Sequence, residues 1–176
     1  EQLKGMQMSA QWTAKGLQID SVDVEREDLS AQLSGLLQPN GDWPLTLQGA
    51  ISLPAPGDKS LAVALKVDGN LRTTLNLVAD TSGYINAHLA GELQPLADNL
   101  PAQLKITAEP FKASPDLPDT LQINQLVLTA KGDLKDGYEL NASATLPAEK
   151  QPVNLLLKGR VDAKGAQIAT LDLTVN

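Results

Sequence analysis

The side chains that usually carry chemistry are sparse in this chain. It has one histidine and no cysteine. His88 is out of phase with Ile85, Ala87 and Leu89, which puts it on a polar strand face. A lone exposed imidazole lacks the partners that general acid–base or nucleophilic catalysis needs. Without cysteine there is no thiolate nucleophile and no Cys-ligated zinc, and one histidine makes no transition-metal site. The acidic cluster Asp20, Asp23, Glu25, Glu27 and Asp28 lacks the Asp-x-Asp-x-Asp-Gly spacing of a calcium loop and reads as a solvated strand face and turn. Gly5, Gly35, Gly49, Gly91 and Gly159 stand singly, so they form no phosphate loop; inside strands such glycines mark bulges or close backbone packing. Asn141-Ala142-Ser143 matches a glycosylation sequon, too short a match to carry weight. The expectation is a protein that is not an enzyme and holds no cofactor and no metal.

Composition narrows the class. At 176 residues and 42% hydrophobic, the chain can form a domain of ordinary size. Aromatics are only 3%, so the apolar supply is Leu, Ile, Val and Ala. That favours a smooth aliphatic surface over an aromatic-filled core. Trp12 and Trp43 are expected to cap the core, the alternative being the edge of the apolar surface. The formal charge of −7 repels phosphate backbones, which excludes nucleic acid as a partner. No stretch approaches 18 apolar residues, so no helix is expected to span a membrane. The start at Glu1 and the finish in mid-pattern at Asn176 read as cuts through a longer repetitive protein. The whole of 1–176 is expected to be one β-rich fragment.

The dominant signal is alternation of period two, the mark of half-buried strands. Leu45, Leu47, Gly49, Ile51 and Leu53 alternate with polar or small residues. So do Leu61, Val63, Leu65 and Val67, then Leu71, Thr73, Leu75, Leu77 and Ala79. Ile85, Ala87, Leu89, Gly91 and Leu93 continue the series. Leu104 and Ile106 follow, then Leu126 and Leu128. Tyr138, Leu140, Ala142 and Leu146 come next, and Val153, Leu155, Leu157, Gly159 and Val161 come late. About twelve strands result. Residues 29–37 fit a helix as well as a strand and are assigned to a strand because the rest is β. Residues 95–100 could form one helical turn. Pro110, Pro115 and Pro118 make 109–119 a loop or a break in the sheet.

Connections are short. Asp68-Gly69 and Asp136-Gly137 carry the two-residue hairpin signature, and Asn40-Gly41 has the same turn chemistry. Ala14-Lys15-Gly16 and Ala163-Lys164-Gly165 read as hairpin loops. Strands joined this way form an antiparallel meander. After Ile19, after Ile123 and within 166–173 the alternation slips by one residue. A slip turns every later side chain over unless a bulge absorbs the extra residue. Bulges are therefore expected near Asp20-Ser21, Asn124-Gln125 and Ala169-Thr170.

Strands with one aliphatic and one polar face, short glycine turns and Leu-Pro breaks make the chain resemble the AsmA-like (DUF490) envelope proteins. The resemblance is carried by Leu17-Gln18-Ile19-Asp20, Gly41-Asp42-Trp43-Pro44-Leu45, Gly83-Tyr84-Ile85-Asn86-Ala87 and Val161-Asp162-Ala163-Lys164-Gly165-Ala166-Gln167-Ile168. It implies an all-β meander curled into an open, taco-like trough with an apolar lumen. It also implies a periplasmic bridge whose parent protein is anchored in the inner membrane of a Gram-negative bacterium. The partners it implies are a TamA-type outer-membrane barrel and either phospholipid acyl chains or unfolded outer-membrane protein strands. The alternative architecture is a closed β-sandwich.

On the trough reading, the lining is Leu45, Leu47, Ile51, Leu61, Val63, Leu65, Val67, Leu71, Leu75, Leu77, Ile85, Leu89, Leu104, Ile106, Leu126, Leu128, Leu140, Val153, Leu155, Leu157 and Val161. Scattered Ala and Gly would widen the lumen, and the outer faces would be acidic. Two other roles compete: an edge-strand binding module for unfolded strands, and an inert spacer.

Overall fold

The computed structural model describes residues 5–26 and 29–175, apart from the side chains of 166–169 and 173. Twelve strands follow one another: β1 (Gly5–Thr13), β2 (Gly16–Glu25), β3 (Ser30–Leu37), β4 (Pro44–Ala55), β5 (Lys59–Asn70), β6 (Leu75–Gly83), β7 (Ala87–Leu93), β8 (Ala102–Ala108), β9 (Asn124–Asp133), β10 (Gly137–Leu146), β11 (Val153–Asp162) and β12 (Gly165–Val175). They form a single antiparallel sheet in sequence order. Among the described residues β1 and β12 do not pair, so the sheet stays open.

Directly opposed residues in a sheet share a face, so the register extends each strand's alternation into continuous rows. One row runs Leu17, Leu37, Leu45, Gly69, Leu75, Leu93, Ala102, Gly132, Tyr138, Val161. The next runs Ile19, Gly35, Leu47, Val67, Leu77, Gly91, Leu104, Ala130, Leu140, Gly159. The other parity carries Gln18, Leu36, Thr46, Asp68, Asn76, Glu92 and Gln103 in one such row, polar except at Leu36.

All three bulges fall where the alternation slips. Ile19 faces Gly35 while Val22 faces Leu33, so Asp20-Ser21 oppose one residue. Asn124 and Val127 face Thr145 and Ser143, leaving an extra residue at Gln125-Leu126, where Gln125 takes φ 52°. Thr170 and Ile168 face Lys158 and Gly159, leaving Ala169 over. Each bulge keeps the apolar parity on one face.

The turns differ more from expectation. Asp68-Gly69 is no hairpin: β5 runs on to Asn70, the chain reverses at 71–74, and β6 begins only at Leu75. Gly69 uses its freedom (φ 131°) inside the strand, where a Cβ would strike the Thr74 carbonyl. Asp136-Gly137 likewise ends a three-residue loop, 134–136, whose Asp136 N–H donates to the Asp133 carboxylate (2.7 Å). Ala14-Lys15 and Ala163-Lys164 are two-residue turns, and Asn40-Gly41 lies in the 38–43 connection. Residues 30–37 are strand. Residues 95–100 make successive turns rather than a helix. Residues 109–123 leave the sheet, as the prolines require.

The sheet has no second layer. Its accessible surface is 11465 Å², whereas a compact monomer of 18.6 kDa exposes about 8,200 Å². A closed sandwich would remove that excess by burying one face of each sheet, so the architecture is an open trough. Val67, Leu75 and Ala79, on β5 and β6, are only 6–7% exposed. With nothing stacked above them, these side chains are enclosed by their neighbours within the sheet.

Candidate functional site: an uncovered apolar face

From β2 to β11, the apolar parity carries no charged side chain except Lys59, at the rim, whose ammonium sits 5.7 Å from the centre of the Tyr84 ring. Its two polar residues in that span are both satisfied by backbone groups. The Thr81 hydroxyl donates to Ile85 O and accepts from Ala87 N–H (2.9 Å each). The Tyr138 hydroxyl donates to Leu100 O (2.7 Å). Satisfied in this way, they add no dangling polar group to the lining.

Nineteen of the twenty-one expected lining residues lie on this face within strands: Leu45, Leu47, Ile51, Leu61, Val63, Leu65, Val67, Leu75, Leu77, Leu89, Leu104, Ile106, Leu126, Leu128, Leu140, Val153, Leu155, Leu157 and Val161. Two are misplaced. Leu71 sits in the β5–β6 turn, where its N–H donates to Trp43 O (2.9 Å). Ile85 sits in the β6–β7 connection. Both follow a glycine at positive φ, Gly69 and Gly83, which redirects the chain before the alternation resumes. Residues missed by that selection include Leu17, Ile19, Leu33 and Leu37, on the same face in β2 and β3.

The glycines do not widen the lumen. A Cβ on Gly35 would lie 2.6 Å from Leu47 Cδ2, and one on Gly49 would strike the Leu33 side chain. Leucines of neighbouring strands lie down over these glycines and smooth the floor. The hollows lie instead on the polar side: one of about 740 Å³ lined by residues such as Gln48, Ala50, Lys66 and Asp80, and another of about 480 Å³ lined by residues such as Asn76, Glu92, Gln103 and Lys131.

Trp12 does not cap a core. It stands on the edge strand β1, on the apolar parity, 71% exposed, beside Met6 and Met8 at 65% and 70%. Trp43, at φ 60°, holds Arg72 5.2 Å from its ring centre at one end of the sheet.

The outer face is not uniformly acidic. Asp20, Asp23, Glu25, Asp68, Asp80 and Glu92 lie on β2–β7 together with Lys66, and Lys105, Lys131, Lys158 and Arg160 lie on β8–β11 together with Glu139. His88 is on the polar parity, its Nδ1 2.6 Å from Asp80 Oδ1 across the β6–β7 pair. Among the described residues, no group of three or more His, Asp or Glu is placed to hold a metal ion. Glu27 and Asp28 of the acidic cluster lie outside the described residues. No helix among the described residues is long and apolar enough to cross a membrane.

A one-layer open antiparallel meander with one aliphatic and one polar face defines a class of all-β sheet proteins. The whole chain, residues 1–176, matches the family model described as the TamB N-terminal domain. The chain belongs to that family. It is similar to the translocation and assembly module subunit TamB of Haemophilus influenzae, with 29% identity over 169 residues. That alignment covers 91% of this chain but 12% of the relative, so the chain spans about an eighth of the relative's length. No solved structure matches.

Proposed function

We propose that this chain is a non-enzymatic periplasmic segment of an inter-membrane bridge, its apolar trough shielding the acyl chains of phospholipid in transit. The parent protein is anchored in the inner membrane and works with a TamA-type outer-membrane barrel, whose assembly of outer-membrane proteins and autotransporters it supports. One observation carries the reading: a continuous aliphatic face whose polar side chains are satisfied and which no second layer of the described residues covers. Large apolar faces on soluble proteins mark sites that meet another apolar body.

The energetics suit an acyl chain. Each methylene taken from water gains about 0.8 kcal/mol, so a chain of about sixteen carbons gains on the order of 10 kcal/mol before the cost of ordering it. Leucine and valine offer no directional bonds, so a cargo is held in any register and slides. Twelve strands at about 4.8 Å give a track nearly 60 Å long.

The test is photo-crosslinking in the full-length protein. Photoreactive residues at Leu47, Leu77 and Leu155 should form lipid adducts, while those at the outward-facing Gln48, Asn76 and Asn154 should not. Equal labelling of both sets, or none at the first, ends this reading. A second reading is favoured by the bare apolar side chains on β1 and β12, the outermost strands among the described residues. An unfolded strand could add there by main-chain pairing. Gln7→Pro would then abolish partner binding and leave lipid adducts intact.

A further inference from the structure

We propose that the β8–β9 connection, 109–123, is a clasp that shuts one rim of the trough, leaving the opposite rim as the side where apolar cargo is loaded. The loading half of this rests on the trough function proposed above.

In a meander the turns fall alternately on two rims. The turns after β2, β4, β6, β8 and β10 share the first rim, and the others share the second. Hairpin loops usually need two to five residues, yet β8 and β9 are joined by fifteen. The surplus is not slack. Phe111 and Ile123 exchange backbone hydrogen bonds (3.1 and 2.7 Å), closing the loop at its neck. Within it, the Lys112 ammonium donates to Leu117 O and to the Asp119 carboxylate (3.1 Å each). Three prolines stiffen the backbone further.

The closed loop is tied to three other turns of the same rim. Tyr84 Oη donates to Lys112 O (2.5 Å) and Glu109 N–H to Asn86 O (2.8 Å), which fixes it to the β6–β7 connection. Ala148 N–H donates to Thr120 O (3.0 Å), which fixes it to the β10–β11 connection. Pro115 Cγ lies 3.0 Å from where a Cβ on Gly57 would be, against the β4–β5 turn. The loop thus ties itself to three other turns, and these four successive turns are the ends of β4 through β11.

The second rim is stapled only in pairs. Leu71 and Arg72 N–H groups donate to Trp43 O and Asp42 O, joining the β3–β4 and β5–β6 turns. Leu134 N–H donates to Asn99 O (2.6 Å) and Tyr138 Oη to Leu100 O, joining β7–β8 to β9–β10. Among the described residues no turn-to-turn hydrogen bond links these two staples, so the second rim has a break beside β6 and β7 where the first is continuous. At that end β6 and β7 are joined by their own ladder alone, down to the Leu75–Leu93 pair, so this is where the sheet opens most readily.

The test uses the full-length protein with 112–120 replaced by Gly-Asn-Gly, and Tyr84→Phe as the milder variant. Amide hydrogen exchange in turns 56–58, 84–86 and 147–152 should quicken at least ten-fold in the shortened loop and less in Tyr84→Phe, with 71–74 and 94–101 unchanged. Unchanged exchange on the first rim overturns the clasp. Transfer of fluorescent phosphatidylethanolamine from vesicles should quicken several-fold once the first rim opens. In the unaltered protein, photo-adducts should form at Leu93, near the second rim, before Leu126, near the first. Faster exchange with unchanged transfer, or adducts first at Leu126, overturns loading from the second rim. If neither protein takes up lipid, the trough function and the loading side fall together, while hydrogen exchange still decides the clasp.

Discussion

On β5 and β6, Val67, Leu75 and Ala79 are almost closed off from solvent, whereas on β1 and β12 Met8, Trp12, Leu171 and Val175 stand bare on the same parity of the same sheet. The sequence pattern is equally apolar in both places. The difference lies in neighbours: a central side chain is crowded by strands on both sides of a curling face, and a marginal one by a single strand. Alternation assigns a side chain to a face, but coverage of that face is a property of the assembled sheet. The centre should therefore behave as a protein core and the margins as surface.

The largest effect expected comes from deleting one residue. Removing Thr46 from the regular strand β4 sends part of its apolar set to the polar side, opposite partners in β3 and β5. That loss exceeds the few kcal/mol by which most domains are stable, on the order of 5 kcal/mol or more, and soluble expression and circular dichroism should show an unfolded chain. Removing Asp20 from the β2 bulge should instead leave a regular strand with Ile19 and Val22 still on one face, at a cost of about 1 kcal/mol. Similar losses for both deletions would break the comparison.

Truncation separates the regions next. Leu75→Ala should cost about 2–3 kcal/mol in urea unfolding and Met8→Ala under about 0.5 kcal/mol, because only the first removes atoms that neighbours enclose. Added bulk should follow the same line. Gly49→Val drives a side chain into Leu33 and should cost about 1–3 kcal/mol. Gly5→Val meets nothing within 4 Å and should be neutral or slightly stabilising. The smallest effect belongs to the outer face. Asp80→Ala, which removes the exposed partner of His88, should change stability by no more than about 0.5 kcal/mol. A loss above 1 kcal/mol would give the outer face more structural weight than an exposed pair supplies.

Much of this was legible in the residues. Leu45 through Leu53 and Leu61 through Val67 alternate cleanly, and each slip after Ile19, Ile123 and Ile168 corresponds to a bulge. Leu71 and Ile85 misled because apolar alternation continues across turns that Gly69 and Gly83 set up through positive φ. The Asp-Gly pairs misled for a related reason. That dipeptide tolerates unusual backbone angles, but the strand partner decides whether they are spent in a hairpin or inside the ladder. Trp12 looked like a core cap because burial follows from what lies above a residue, which local spacing does not encode.

The sequence alone determined the strands, their parity and the aliphatic stripe, since pleating and side-chain polarity act over one or two residues. Only the tertiary structure decided that the stripe stays uncovered, that leucines fill the gaps over Gly35 and Gly49, and that 109–123 binds four turns together. Those outcomes depend on contacts between residues far apart in the chain. An open trough and a closed sandwich share the same alternation and differ only in where the strands travel.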